Sequence, residues 1–176
     1  MKAAMVAAVA ALLLLTLILL RYRRASRERL SRPRELAKAE LLYMEELFRI
    51  REPIALVARV DRVYRLPSGS LVLVELKTRA RNRPYLSDVI QLSAQRLAIE
   101  VQTGATIEPY AFVSVRTARM GSRMQHHRVQ LLDAQTIVQL RDRREHLLTG
   151  RLAPAYAGST VACRGCAMRR HCDRLG

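Results

Sequence analysis

The apolar positions of this chain fall into blocks of different character. Residues 3–20, AAMVAAVAALLLLTLILL, carry no charge and a single polar residue, Thr16. A run of this kind is at the short end of what spans a bilayer as a helix, roughly 17–25 residues. Only Lys2 precedes it, whereas Arg21, Arg23, Arg24, Arg27 and Arg29 follow it. Positive charge stays on the cytoplasmic side, so the pattern predicts a single-pass anchor over residues 1–20 in the inner or cytoplasmic membrane, with a soluble domain in the cytoplasm. A cleaved signal peptide would place its charge ahead of the apolar run and a small-residue cleavage site behind it; here RYRR comes next.

Residues 21–34 read as a basic linker broken by Pro33. ELAKAELLYMEELFRI (35–50) is dense in apolar residues and strong helix formers, which predicts a helix ended by Pro53. IALVARVDRVYRL (54–66) and LVLVELKT (71–78) are rich in β-branched residues, and PSGS (67–70) between them is turn chemistry. Together they predict a β-hairpin with a loop of about three to four residues. RARNRPY (79–85) is a polar loop, and Ser87 caps a predicted helix to about residue 102. A strand, EPYAFVSV (108–115), follows Gly104, and HHRVQLL (126–132) begins as another. DAQTIVQLRDRREHLLTG (133–150) is a helix with Asp133 as N-cap and Gly150 past its end. The order helix, hairpin, helix, strand, helix implies an α/β sandwich around a small mixed sheet over residues 35–153, followed by a Cys-rich segment, 154–176.

Composition sharpens this picture. A chain of 176 residues fits one domain with an appendage, and half of its residues are hydrophobic, enough for a core. The formal charge of +16 attracts phosphates or anionic headgroups, although a general preference for Arg accounts for part of it. No glycine-rich phosphate loop, nucleophile elbow or dinucleotide fingerprint is present. Of 31 Lys and Arg, three are Lys: Lys2, Lys38 and Lys77. The last sits two residues after Glu75 in an apolar strand.

In a strand, residues i and i+2 share a face, so Glu75 and Lys77 point the same way and Leu76 the other. The hairpin brings Asp61 opposite residue 75, 76 or 77, and a three-residue loop or a bulge puts it opposite Glu75. Two converging carboxylates hold a hard divalent cation, which polarises a phosphoryl oxygen. A lysine beside them can orient or activate water, and unlike Arg it changes its protonation readily when desolvated. The alternative is a cross-strand salt bridge among the same three residues. Charges emerging at the end of a buried strand are usually tightly paired or functional.

Asp61, the Glu75 of VELKT and the following IQLSAQRLAIE together resemble the PD-(D/E)XK nuclease superfamily, and within it the RecB-like branch that includes the CRISPR-associated iron–sulfur exonucleases. The resemblance spans roughly residues 36–172. It implies a restriction-endonuclease-like α/β/α core, metal-dependent hydrolysis of single- or double-stranded DNA, and a bound Mg²⁺ or Mn²⁺. It implies Asp61, Glu75 and the Leu76 carbonyl as metal ligands, Lys77 as the catalytic lysine, and Gln91 as the glutamine of the helix motif. Glu45 (or its neighbour Glu46) substitutes for the His or acid that the family offers on its first helix. Gln95 stands where the family has Tyr and Ala58 where it often has Gly. Gln91 and Gln95 share a helical face, from which both can reach a backbone phosphate. Arg79, Arg81 and Arg83 are candidate phosphate clamps.

Cys163, Cys166 and Cys172 form C-x2-C-x5-C, a poor disulfide framework and a better metal signal. The same branch ends in this spacing, where it supplies three ligands of a [4Fe–4S] cluster. The family's fourth Cys, upstream, is missing here. Zn²⁺ bound by the three cysteines and His171 is the chemical alternative, and a vestigial tail without metal is the third reading. The expected protein is thus a membrane-tethered, exonuclease-like deoxyribonuclease; the alternative is a catalytically weak nucleic-acid-binding module of the same fold.

Overall fold

The computed structural model describes residues 12–16, 18–20, 26, 28–117 and 123–155, together with Cys163, Arg164, Cys166, Arg169 and Cys172. The chain divides into two compact units, one ending at Ile137 and one beginning at Val138.

The first unit is built on strands β1 (Glu40–Met44), β2 (Leu47–Ile50), β3 (Leu56–Arg59), β4 (Arg62–Arg65), β5 (Leu71–Thr78), β6 (Tyr110–Arg116) and β7 (Gln125–Gln130). Helix α1 (Leu86–Thr103) joins β5 to β6, and α2 (Ala134–Leu148) follows β7. The main sheet has the order β1-β4-β5-β6-β7, and β2 and β3 form a separate pair. Only β5 and β6 run parallel, as the α1 crossover requires; the other pairings are antiparallel. The expected α/β fold on a mixed sheet is therefore present.

The predicted helix over 35–50 is not. Those residues form a 3-10 turn (Arg34–Leu36) and then β1 and β2. Their partner strand, 56–65, is intrinsically β-forming, and pairing with it overrides a weak helical preference. Met44 pairs with Arg62 and Leu47 with Arg59 in one continuing register. Residues 40–65 are thus a single long hairpin that bends from the main sheet into the small one. At the bend the Glu45 N–H donates to the Asp61 carbonyl (3.1 Å) and the Val60 N–H to the Glu46 carbonyl (2.9 Å). The predicted strand 54–66 is interrupted at the same place, which leaves Asp61 between β3 and β4.

The predicted hairpin holds over β4 and β5. Leu66 N–H donates to Ser70 O at 2.9 Å, closing a three-residue loop in which Gly69 has φ +92°. A type I turn followed by a glycine in the left-handed region is a common three-residue hairpin connection. Arg62 then pairs with Val74 and Arg65 with Leu71.

Alternation along β5 splits the core in two. Leu71 and Leu73 pack with Val63, Leu92, Ala98, Ile99, Val113 and Val115. Val72 and Val74 pack with Tyr64, Phe112, Leu36 and Ala39. Helix α1 covers the first face and residues of the 28–39 segment cover the second. From Glu28 onward the expected linker is therefore part of the packed body. Glu28 is buried, takes a bidentate contact from Arg32 (2.9 and 2.8 Å) and accepts the Tyr64 hydroxyl at 2.6 Å.

Helix α1 starts one residue before Ser87, and Asp88 rather than Ser87 completes its cap by accepting the Tyr85 N–H at 2.8 Å. In α2, Asp133 accepts the Thr136 N–H at 2.6 Å, as an N-cap should. In the second unit, Gly150 has φ +69° just past the helix end, where glycine was expected.

Among the described residues no helix is long and apolar enough to cross a membrane. Residues 12–16 and 18–20 are helical with exposed leucines, and the rest of the expected anchor lies outside the described residues.

Candidate active site

The row Leu71, Leu73, Glu75, Lys77 lies on the α1 side of β5. Its first two members belong to the core, and its last two emerge where the core ends. Glu75 is 3% exposed, and its carboxylate is held from three directions. Lys77 Nζ lies 2.6 Å from Oε1. Gln91 Nε2 donates to the same oxygen at 2.8 Å, and Gln95 Nε2 reaches Oε2 at 3.3 Å. Lys77 also donates to Gln91 Oε1 at 3.0 Å, closing a ring of three side chains. Lysine can only donate, so the Gln91 oxygen must face it and the Gln91 nitrogen must face Glu75. Gln91 and Gln95 are one helical turn apart on α1, which puts both amides over the same carboxylate.

Asp61 comes from the other strand of the hairpin. Its Oδ2 accepts the Leu76 N–H at 2.7 Å, so Asp61 sits beside Glu75 as the three-residue loop predicts. In an extended strand the N–H and C=O of one residue emerge on the same edge. The Leu76 carbonyl therefore points to the Asp61 side of β5. Burial pushes the Asp61 carboxyl above the usual aspartate range, with the Glu45 charge adding to it. The Leu76 N–H, Lys77 and Arg62 offset part of the shift.

Glu45 is not on a helix. It occupies the hairpin bend with φ +54°, its side chain is 60% exposed, and it faces Arg59 at 3.8 Å. It is near enough to raise Asp61, but among the described residues no three acidic, His or Cys side chains gather as a metal site. Asp61 and Glu75 are thus the two carboxylates available to a cation here. With the Leu76 carbonyl they make an all-oxygen donor set, which suits Mg²⁺ or Mn²⁺. A partly buried Asp61 whose Oδ1 has no hydrogen-bond partner among the described residues is a second feature that fits a cation.

Gln95 is corrected. It is 3% exposed and turned inward, donating to the Arg59 carbonyl at 2.8 Å as well as to Glu75. It does not reach outward toward a phosphate.

The three loop arginines also part company. Arg79 makes two 2.9 Å contacts with Asp88 and lies 4.8 Å from the Tyr85 ring centre. Arg83 covers the same ring at 4.9 Å, while Arg81 and Arg83 are exposed. Tyr85 is therefore enclosed by guanidinium groups, not open for a base. Burial opposes ionisation of Asp88, but Arg79 and the Tyr85 N–H outweigh it and hold the carboxyl below the usual range. In the sequence Asp88 is marked only by its place three residues after the helix N-cap, the spacing of a capping box.

His127 Nε2 contacts Asn82 Oδ1 at 2.9 Å, which fastens the loop to β7. His126 Nδ1 meets Ser114 Oγ at 2.8 Å, and burial, with the neighbouring His127 charge, lowers its pKa.

In the C-terminal segment Cys163, Cys166 and Cys172 are free thiols. Backbone bonds Cys166 to Cys163 (3.3 Å), Arg169 to Cys166 (3.2 Å) and Cys172 to Arg169 (3.4 Å) step the chain through short turns. His171 lies outside the described residues.

A family model described as the PD-(D/E)XK nuclease superfamily matches residues 3–173. No curated protein matches the sequence significantly. A solved structure named SSO0001 is 18% identical with a TM-score of 0.49, covering 90% of this chain and 68% of its own. A Eubacterium rectale protein described as a candidate exonuclease is 17% identical with a TM-score of 0.51. That alignment covers 81% of this chain and 56% of the relative, so the chain spans little more than half that protein's length.

Proposed function

Because the chain belongs to the PD-(D/E)XK nuclease superfamily, we propose that it is a metal-dependent, exonuclease-like hydrolase of DNA phosphodiester bonds with Asp61, Glu75, Lys77 and Gln91 as its active site. The observation that carries this reading is the ring Glu75–Lys77–Gln91 beside Asp61 on the Leu76 amide. Asp61, Glu75 and the Leu76 carbonyl would hold Mg²⁺ or Mn²⁺, which when bound supplies a Lewis acid for the phosphoryl oxygen.

The chain's own residues do the rest. Glu75 and Gln91 fix the Lys77 ammonium, whose remaining hydrogen can orient the attacking water or steady charge on the phosphate. Its side chain is 27% exposed, open enough to meet a substrate. Arg81 and Arg83 lie in the loop that follows β5 and can contact the backbone of the strand. The apolar segment 3–20 would tether the enzyme to the membrane, and the three cysteines would hold a [4Fe–4S] cluster or Zn²⁺ that ties down the terminus.

A second reading is a weakly catalytic nucleic-acid-binding module. One observation favours it: both Glu75 oxygens are already engaged by Lys77, Gln91 and Gln95, so a metal must displace or share those bonds.

Full-length protein, purified anaerobically in detergent and incubated with labelled single- and double-stranded DNA and Mn²⁺, separates the two. Cleavage by the wild type and its loss in Lys77→Ala, with DNA binding retained, is expected of the nuclease. Equal inertness or equal activity of the two proteins sinks the catalytic assignment. Broad visible absorption of the preparation would indicate an Fe–S cluster; bound zinc without colour would exclude it.

A further inference from the structure

Gln95 makes a connection that the catalytic ring does not use. Its single amide nitrogen lies 2.8 Å from the Arg59 carbonyl and 3.3 Å from Glu75 Oε2. Both partners are acceptors, so the NH₂ group must face them and one hydrogen goes to each. Arg59 ends β3 and stands two residues before Asp61. Between them Val60 is buried, and its N–H is fixed on the Glu46 carbonyl. The main chain that delivers Asp61 is therefore tied, through one buried amide, to the carboxylate of Glu75.

We propose that Gln95 is a positioning residue that sets the spacing of the Asp61 and Glu75 carboxylates for a divalent cation. The inference rests on the proposed nuclease function and deepens it. The hairpin bend makes such a tie useful. Asp61 sits where the chain leaves the small sheet for the main one, outside any strand; its side chain meets β5 through the Leu76 N–H, and the Gln95 tie adds a hold on the main chain just before it. Gln91, one turn earlier on α1, grips the other oxygen of Glu75 but among the described residues makes no bond to the Arg59–Asp61 segment. A tyrosine at position 95 could not reproduce the arrangement, because a phenol carries one hydrogen and cannot donate to two acceptors. The glutamine is thus a different solution from the usual residue of the motif, not a simple loss.

The test is Mn²⁺ binding by the full-length protein in detergent, measured by titration calorimetry and Mn²⁺ electron paramagnetic resonance, for wild type, Gln95→Met and Gln95→Ser. Met keeps the buried volume and removes both hydrogen bonds; Ser is too short to span the two acceptors. Residues that orient metal ligands typically cost about 10–100-fold in metal affinity when changed. Weakening of that size in a variant whose circular dichroism matches the wild type supports the proposal. Unchanged Mn²⁺ affinity in either folded variant overturns it, whatever happens to the melting temperature. If neither variant folds, Gln95 holds the fold and not the site, and the proposal falls. A wild type that binds no Mn²⁺ fails differently, by removing the nuclease reading and this inference together.

Discussion

Asp61 Oδ2 accepts the Leu76 main-chain N–H at 2.7 Å, across the end of a hairpin whose turn begins at Leu66, further along the chain. A carboxylate that caps a strand amide has a structural use as well as a chemical one. The two uses can be separated, because asparagine keeps an acceptor oxygen for Leu76 while losing the charge.

Asp61→Asn is accordingly expected to abolish Mn²⁺-dependent cleavage and to raise the melting temperature. Burial raises the pKa of Asp61, so the ionised carboxyl costs stability in the folded state. A group whose folded pKa is raised loses its favourable contribution as pH rises through that pKa. The gain of Asp61→Asn over wild type should then be largest near neutral pH and vanish below the ordinary aspartate range. Each kcal/mol would appear as roughly 2–4 °C in a chain of this size. Melting curves from pH 3 to 8 check it; a destabilised variant at pH 7 would show that the charge is matched, not merely tolerated.

Much of the site's layout is legible in the sequence. Apolar alternation in LVLVELKT gave β5 its two faces, and PSGS gave the three-residue turn that sets Asp61 beside Glu75. Gln91 was marked by the resemblance of IQLSAQRLAIE to the family's helix motif, and it lies over Glu75. What escaped was non-local. ELLYMEELFRI has the composition of a helix, and only pairing with residues 56–65 makes it strand. Once that helix is gone, Glu45 becomes a bend residue opposite Asp61. The inward turn of Gln95 was equally invisible, since nothing near position 95 in the sequence announces that the Arg59 carbonyl needs a donor. Glu28 lay in a stretch that reads as solvated basic linker, and its partner Tyr64 is 36 residues away.

That cluster leads to a second expectation. Glu28 is buried against Arg32 and Tyr64, and Arg32 stacks 4.8 Å from the Tyr64 ring centre. Burial opposes its ionisation, but the bonds from Arg32 and Tyr64 prevail and hold the carboxyl below the usual glutamate range. The same surroundings push the Tyr64 hydroxyl up to about 12. Glu28→Ala strands a largely buried Arg32 and is expected to cost on the order of 3 kcal/mol. Because the folded pKa is lowered, this stability is present above the unfolded value and is lost as pH falls through the folded one. The gap between wild type and Glu28→Gln should therefore be full at pH 7 and close below about pH 4.5, the ordinary glutamate value. A gap that persists unchanged to pH 3 would mean the contact is steric.

The arginines of the 79–85 loop should divide by partner. Arg79→Ala removes the nitrogen that reaches both oxygens of buried Asp88, so it is expected to lower the melting temperature. Arg81→Ala and Arg83→Ala leave that contact intact. They should keep the melting temperature and weaken DNA binding, each reducing the slope of log affinity against log salt by about one if it touches a phosphate. Fluorescence anisotropy with a short oligonucleotide at several salt concentrations reads this directly. Unchanged slopes for both would remove the loop from the substrate path.

Lys77 offers the sharpest exchange, because the rest of the chain so consistently prefers arginine. Lys77→Arg retains the positive charge next to Glu75 but replaces a compact ammonium with a planar fork that stays protonated. The Lys77 nitrogen fits between Glu75 Oε1 and Gln91 Oε1 at 2.6 and 3.0 Å, a pocket for a point donor. If Lys77 acts only as a counter-charge, Lys77→Arg should cleave nearly as well as wild type. If it positions or activates water, the loss should be in the range of general acid–base effects, about 10²–10⁴-fold in kcat, with DNA affinity retained. Single-turnover cleavage at saturating Mn²⁺ separates the outcomes, and the expectation here is the second: arginine supplies the charge but not the geometry of a point donor between Glu75 and Gln91.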